Sequence, residues 1–329
     1  MSRLAPTLQA WFTERLSHQL EASPHTVASY RDTIKLLVRF ASERSGRAPS
    51  DLEFSDLDAT VVADFLEHLE HVRHNSIATR NVRLTAVRSF FHFAAFEEPT
   101  HAALIARVLA IPEKRTQRRV VSFLTKTEME ALIDAPDPET WIGRRDRTLL
   151  LVACQSGLRV SELIGLRGGD VVSGAGPHLR VRGKGRKDRC TPLTRHTMAA
   201  LRSWMAERAG EPDDALFPTI RGTAMTRDNV AHLVTKHAER AADRCPSLQK
   251  KRVTPHTLRH SCAMGLLTAG VDTSTIALWL GHEHVQSTQI YLHGDLTIKE
   301  RALARTAPPE TKPGRYRPSD TLLAFLDGL

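Results

Sequence analysis

Five side chains suited to phosphate chemistry fall within the single stretch Thr254–Tyr291, TPHTLRHSCAMGLLTAGVDTSTIALWLGHEHVQSTQIY: His256, Arg259, His260, His282 and Tyr291. An imidazole moves protons near neutral pH, and a guanidinium can grip two phosphate oxygens at once. A phenol becomes a nucleophile once a base takes its proton. His256 and Arg259 are three apart, so on a helix they share a face and can approach the same oxygens. Tyr291 follows His282 by nine residues; for a lone tyrosine, half-buried packing is the alternative reading.

The local sequence supplies elements to hold these groups. Thr254 is a good N-cap and Pro255 suits the first helical position, which sets a positive helix end beside His256. Such an end attracts phosphate. Gly270 supplies a stop, Asp272 caps a second helix, and Gly281 ends it, leaving His282 in the turn that follows.

Two upstream segments carry further cationic candidates. RDRTLLLVACQSGLRVSELIGLRGGDV, Arg145–Val171, reads as a buried helix ending at Gly157, a tight turn holding Arg159, and a second helix from about Ser161 to Leu166. An arginine between two apolar helices must be paired or face a ligand. Glu162, three residues on, offers a purely structural ion pair as the alternative. HLRVRGKGRKDRCTPL then alternates as a β-hairpin, with Lys184 at its glycine-flanked tip; a solvated turn would look the same. It lacks the spacing of a phosphate-binding P-loop. Helices over Arg195–Ala209 and Arg227–Ala242 lead into the stretch described first.

The first hundred residues read as four helices: Ala5–Leu20, Ser23 to Gly46 with Pro24 at the first helical position, Asp58–His71, and Ser76–Phe96. Leu84, Val87, Phe90, Phe91 and Ala94 recur at helical spacing as core. The opposite faces carry Arg31, Lys35, Arg80, Arg83 and Arg88, either as solvated charge or as contacts to a DNA backbone. RVLAIPEKRTQRRVV, Arg107–Val121, reads as an extended basic linker holding Arg115, Arg118 and Arg119. TKTEMEALIDA follows as a helix capped by Thr125 with Glu128 three residues on.

Composition agrees with this division. A chain of 329 residues has room for two domains. Lys and Arg number 46 against 37 Asp and Glu, a formal charge of +9, which favours a polyanionic partner. Cys154, Cys190, Cys245 and Cys262 form no C-x-x-C pair and no disulfide framework, so they read as reduced thiols of a cytosolic protein. No apolar run approaches about eighteen residues, and the N-terminus has no apolar signal core, so neither a membrane span nor a targeting peptide is expected.

The ordered set G-L-Arg159-V-S-E-L, G-Lys184-G, His256-T-L-Arg259-H, L-G-His282 and Tyr291 resembles the tyrosine recombinases, the phage-integrase and Xer-type enzymes that break and rejoin DNA. The resemblance covers essentially the whole chain. It implies a mainly α fold with a small β-sheet in the catalytic domain (α+β), and two domains forming a C-shaped clamp around double-stranded DNA. The expected division is an N-terminal helical, SAM-like DNA-binding domain at 1–106, a basic linker at 107–122, a catalytic domain at 123–306, and a Pro-rich spacer with a C-terminal docking helix at 307–329.

The roles the resemblance implies are these. Tyr291 is the nucleophile, His256 the acid/base, and Arg159 and Arg259 hold the non-bridging oxygens. Lys184 protonates the leaving oxygen, His282 binds the phosphate or places Tyr291, and Glu162 orients Arg159. Arg80, Arg83, Arg88, Arg115, Arg118, Arg119, Arg186 and Lys187 contact DNA. The resemblance further implies a free monomer or weak dimer that forms a homo-tetramer, or a hetero-tetramer with a related recombinase, on synapsed sites. Its expected setting is the bacterial cytoplasm, in association with the nucleoid. Because the phosphotyrosine conserves bond energy and cations replace a metal, no cofactor, nucleotide or metal is expected; His256/His260 and His282/His284 leave zinc as an alternative that no carboxylate or cysteine completes. A type IB topoisomerase-like enzyme or a non-catalytic DNA-binding relative are the other readings. A mobile-element role, in integration or transposition, is preferred on the long tail.

Overall fold

In a computed structural model of the chain, residues 4–116, 121–183 and 188–281 are described. The chain divides into two compact units, Met1–Arg118 and Arg119–Leu329.

The N-terminal unit is built from helices α1 (Leu4–Ala10), α2 (Pro24–Ser45), α3 (Ala59–His71), α4 (Ile77–Glu97) and α5 (Ala102–Leu109). Their starts are set by short polar side chains. Ser23, Asp58 and Ser76 each accept a hydrogen bond from the backbone N–H three residues on, satisfying donors that the helix itself leaves over. Gly46 closes α2 at φ 69°, where a side chain would be strained. After α1 the chain runs on as a π-helix, Trp11–Gln19. This places the fully buried Trp11 between Tyr30, stacked at 5.7 Å, and Phe90, edge-on at 5.6 Å. Phe54, Phe65, Phe90 and Phe91 complete an aromatic core, each contributing about 1.5–3 kcal/mol by leaving water.

One sequence expectation changes in this unit. Arg107 does not begin an extended linker, because α5 continues through Leu109 and fully buries Val108 in the core. The apolar run Ala102–Leu109 finds a hydrophobic face to cover, and burial outweighs the basic residues that follow.

The second unit contains α6 (Lys126–Ile133), α7 (Trp141–Ser156), α8 (Val160–Gly165), strands β1 (Val171–Val172), β2 (His178–Arg182) and β3 (Asp188–Pro192), and helices α9 (Arg195–Arg208), α10 (Arg227–Ala242), α11 (Pro255–Thr268) and α12 (Thr273–Leu280). The fold is thus mainly helical with one small sheet. The strands are antiparallel in the order β1-β2-β3, with Leu179 opposite Thr191 and Val181 opposite Arg189. Alternation sends Leu179 and Val181 into the core and Arg180 and Arg182 outward. Helix α7 is central: Leu149, Leu150 and Val152 are buried, and α6, α9 and α11 all pack against it. Among the described residues, no helix is long and apolar enough to cross a membrane.

Candidate active site

Helix α7 stops because Gly157 adopts φ 61°. Leu158 is buried, and Arg159 becomes the first residue outside α8, with Glu162 one turn in. Glu162 Oε2 accepts from the Arg159 backbone N–H at 2.8 Å, and Oε1 accepts from the Arg159 guanidinium at 2.9 Å. From β3, Arg189 donates to both oxygens at 3.0 and 2.8 Å. Four donors therefore saturate one carboxylate whose side chain is 5% exposed. Burial pushes the Glu162 carboxyl up. The hydrogen bonds and charge of Arg189 and Arg159 outweigh that and leave it below the ordinary carboxylate range. Two guanidiniums on one carboxylate leave the cluster with a net positive charge.

The second arginine arrives on α11. Thr254 caps this helix, and its hydroxyl accepts from Thr257 N–H at 3.2 Å. Arg259 is 4% exposed; its guanidinium turns inward and donates to Gly157 O at 2.7 Å and Leu280 O at 2.8 Å. His256 lies exposed at the helix start, its ring 6.3 Å from that of half-buried His260. Burial first, then the charges of His256 and Arg259, hold His260 below its ordinary range. The helical spacing of His256 and Arg259 is as expected. The two side chains do not lie side by side at the surface, however, because unpaired helix-end carbonyls draw the guanidinium inward.

These contacts follow one plan. The last carbonyls of α7 are each taken by a side chain from α11 or α12. Gln155 O accepts from Cys262 at 3.1 Å, Ser156 O from Trp279 Nε1 at 3.2 Å, and Gly157 O from Arg259. The last carbonyls of α12 are taken by arginines: Trp279 O by Arg189 at 3.2 Å, Leu280 O by Arg259, and Gly281 O by Arg159 at 2.9 Å. A helix C-terminus carries partial negative charge, so it is a favourable seat for cations. Three arginines thereby converge where α7 and α12 end, immediately before His282. Among the described residues, two of the five side-chain N–H donors of Arg159 are engaged, by Glu162 and Gly281, and the side chain is 33% exposed. The arrangement can present guanidinium donors to a phosphate.

The arginines expected to contact DNA from α4 have other partners. Arg80 is 5% exposed; it donates to Pro112 O at 3.0 Å and to Asn81 Oδ1 at 3.1 Å, with Glu70 at 3.6 Å. Burial pulls the Arg80 guanidinium below its ordinary value, against the attraction of Glu70. Arg80 is therefore a structural residue, since the Ile111–Lys114 segment covers it. Arg88 holds the same segment through Ile111 O and Glu113, and Arg83 donates to Thr33 Oγ1 at 3.0 Å. Arg115 is exposed. Lys184, His282, Tyr291, Arg118, Arg119, Arg186, Lys187 and the whole segment 307–329 lie outside the described residues.

Sequence reasoning missed three polar clusters. Arg189 was one; the hairpin register that sends Val181 inward also puts Arg189 on the inner face, where a charge needs a partner. Glu128, read only as a helix cap, is 2% exposed and accepts from Lys251 at 2.6 Å and Ser247 at 2.6 Å. Asp146 bridges Arg145 and His237 inside the core at 2.7 and 2.9 Å. Among the described residues, no three His, Cys, Asp or Glu side chains form a metal-ligand set.

Comparison with known proteins places this geometry. Residues 122–297 match the model of the phage integrase family, and residues 10–98 match the phage integrase N-terminal SAM-like domain. A relative from Sinorhizobium fredii, named as an integrase/recombinase, y4rC, is 52% identical over 326 residues, covering 99% of this chain and 98% of that one. The tyrosine recombinase XerC of Pelotomaculum thermopropionicum is 31% identical over 291 residues, covering 86% and 92%. Among solved structures, the XerH site-specific recombinase bound to a palindromic difH substrate in a post-cleavage complex shares the fold. Its TM-score is 0.70 at 22% identity, over 87% of this chain and 81% of that one. The Tn1549 transposon integrase with transposon right end DNA gives 0.64 at 14% identity, over 91% and 98%.

Proposed function

The chain belongs to the phage integrase family, and from that premise we propose that it cuts and rejoins double-stranded DNA at specific sites through a covalent bond to Tyr291. The Tyr291 oxygen attacks a backbone phosphorus and loses its proton to a base, for which His256 is the candidate. A 3′-phosphotyrosyl link forms as the bond to the 5′-oxygen breaks, and Lys184 supplies the proton to that leaving oxygen. Arg159 and Arg259 neutralise the charge that gathers on the non-bridging oxygens, and His282 hydrogen-bonds the phosphate or places Tyr291. The 5′-hydroxyl of another strand then attacks the phosphotyrosine. One phosphodiester is exchanged for another, so the balance closes with no nucleotide hydrolysed.

The observation that carries this reading is the seating of Arg159 and Arg259 at the joined ends of α7 and α12, one residue before His282. The test uses a pool of nicked duplexes in which the short 5′-hydroxyl fragment diffuses away after cleavage. Wild-type protein should accumulate a covalent adduct and Tyr291→Phe should not; an adduct that persists in Tyr291→Phe removes Tyr291 from its role. Sequencing the trapped DNA identifies the site. Exchange between two sites calls for four active centres, so the working assembly is a tetramer of this chain, or of this chain with a related one. The apolar C-terminal segment, Leu322, Leu323, Phe325, Leu326 and Leu329, is the candidate contact between neighbours. Deleting residues 319–329 should impair assembly more than cleavage of a single site; full recombination by the truncated chain would end that proposal.

A further inference from the structure

We propose that Arg189 is a positioning residue for the phosphate site: it clamps Glu162 so that Arg159 is held in one orientation, and it fixes the β-hairpin to the end of α12. The inference rests on the reading of Arg159 as a phosphate ligand and adds to it a residue that touches no reacting atom.

Three contacts argue for the role. The two parallel bonds from Arg189 to Glu162, at 3.0 and 2.8 Å, have the bidentate fork geometry that lysine cannot copy. The same guanidinium reaches Trp279 O through Nε at 3.2 Å, so one side chain spans β3, α8 and α12. A methyl group added at Gly281 would lie 2.8 Å from Arg189 NH1, so Gly281 leaves room for the guanidinium as well as for the turn at φ 65°. With its side chain 12% exposed, Arg189 is too covered to serve as a surface contact.

The position in the chain gives the clamp its leverage. Glu162 Oε1 is shared between Arg159 and Arg189, and its Oε2 between the Arg159 backbone and Arg189. Without Arg189 the carboxylate has one guanidinium partner and can rotate, carrying Arg159 with it. Arg189 is also the fifth residue after Lys184, on the strand that anchors the hairpin, and it holds the carbonyl of Trp279, three residues before His282. One side chain thus ties together α8, which follows Arg159, strand β3 and the end of α12. A positional slack of about 1 Å in such a site lowers rate on the order of 100-fold.

The test is Arg189→Lys in the full chain, read in two ways. Guanidinium Nη–H resonances of isotope-labelled protein report the exchange of the Arg159 donors held by Glu162 and Gly281, assigned by their disappearance in Arg159→Lys. Exchange should quicken at least about ten-fold in Arg189→Lys, in line with loss of about 1.4 kcal/mol of restraint. On the nicked duplexes, the rate of adduct formation should fall on the order of 10- to 100-fold while DNA affinity stays within about two-fold. The double variant Arg189→Lys/Arg159→Lys should be no slower than Arg159→Lys alone. Unchanged Arg159 exchange, or losses that multiply in the double variant, overturns the inference. Quickened exchange with no adduct even from wild-type protein upholds the clamp and removes the recombinase chemistry instead. Should Arg189→Lys not fold, Glu162→Asp opens the same clamp by shortening its reach and is read the same way.

Discussion

Glu162→Gln isolates the charge of the central carboxylate with almost no change of shape. In the wild-type protein, four N–H donors converge on two oxygens. The amide oxygen of glutamine can accept from two donors, and its NH2 group would point at the others, so two bonds of the charge-assisted kind are lost. The Glu162 and Arg189 side chains are 5% and 12% exposed, so that loss falls in a desolvated place, whereas Arg159 at 33% retains some water. Breaking one partner of a buried pair costs about 3–5 kcal/mol, and the exposure of Arg159 favours the lower end. About 3 kcal/mol in a unit of this size lowers Tm by roughly 6–12 °C. The pH dependence gives a second reading. Because Glu162 is held below its ordinary value of 4.5, its stabilisation is fully present above that pH and is lost as pH falls through its lowered folded-state value. Thermal denaturation of the second unit at a series of pH values should therefore show a gap between wild type and Glu162→Gln that is constant above about pH 5.5 and narrows in acid. A gap under about 1 kcal/mol at pH 7, or one that is constant down to pH 3, would refute the account of this cluster.

Other expectations follow from single positions. Gly157→Ala combines φ 61° with a Cβ 2.7 Å from Leu280 Cδ2 and 3.0 Å from Cys262 Sγ, so urea denaturation should show a loss of about 2–4 kcal/mol. Burial pushes the thiols of Cys154 and Cys262 up to about 12, so a disulfide reagent at pH 8 should label Cys190 and Cys245 in the native protein and the other two only on unfolding. Arg80→Gln should destabilise the N-terminal unit by about 2–4 kcal/mol without changing the salt dependence of DNA binding. Arg115→Gln, at an exposed position, should reduce the log–log salt slope by about 1, as measured by anisotropy titration.

What could be read from the sequence was decided within one helical turn. Ser23, Asp58, Ser76, Thr125, Thr254 and Asp272 cap helices because each donor they satisfy lies two or three residues on. Gly46, Gly157 and Gly281 end helices through their own backbone freedom. The Arg159–Glu162 pair was equally local. Arg189 escaped notice because its partner lies 27 positions away and meets it only through hairpin pairing. Arg80 looked like a surface cation because the carbonyl that covers it is 32 residues further along, on a segment that sequence alone read as a free linker. The inward turn of Arg259 depends on carbonyls 102 positions before it and 21 after it, which no spacing rule connects.

The joined ends of α7 and α12 also determine how the protein meets an anion. A free guanidinium in water must shed its hydration before it can grip a phosphate closely. Arg259 has already exchanged water for the carbonyls of Gly157 and Leu280, and Arg159 has done so in part with Glu162 and Gly281. The backbone thus holds Arg259 away from water and helps to aim both guanidiniums. On the proposed reading, a phosphate would meet guanidiniums whose orientation the two helix ends have already set.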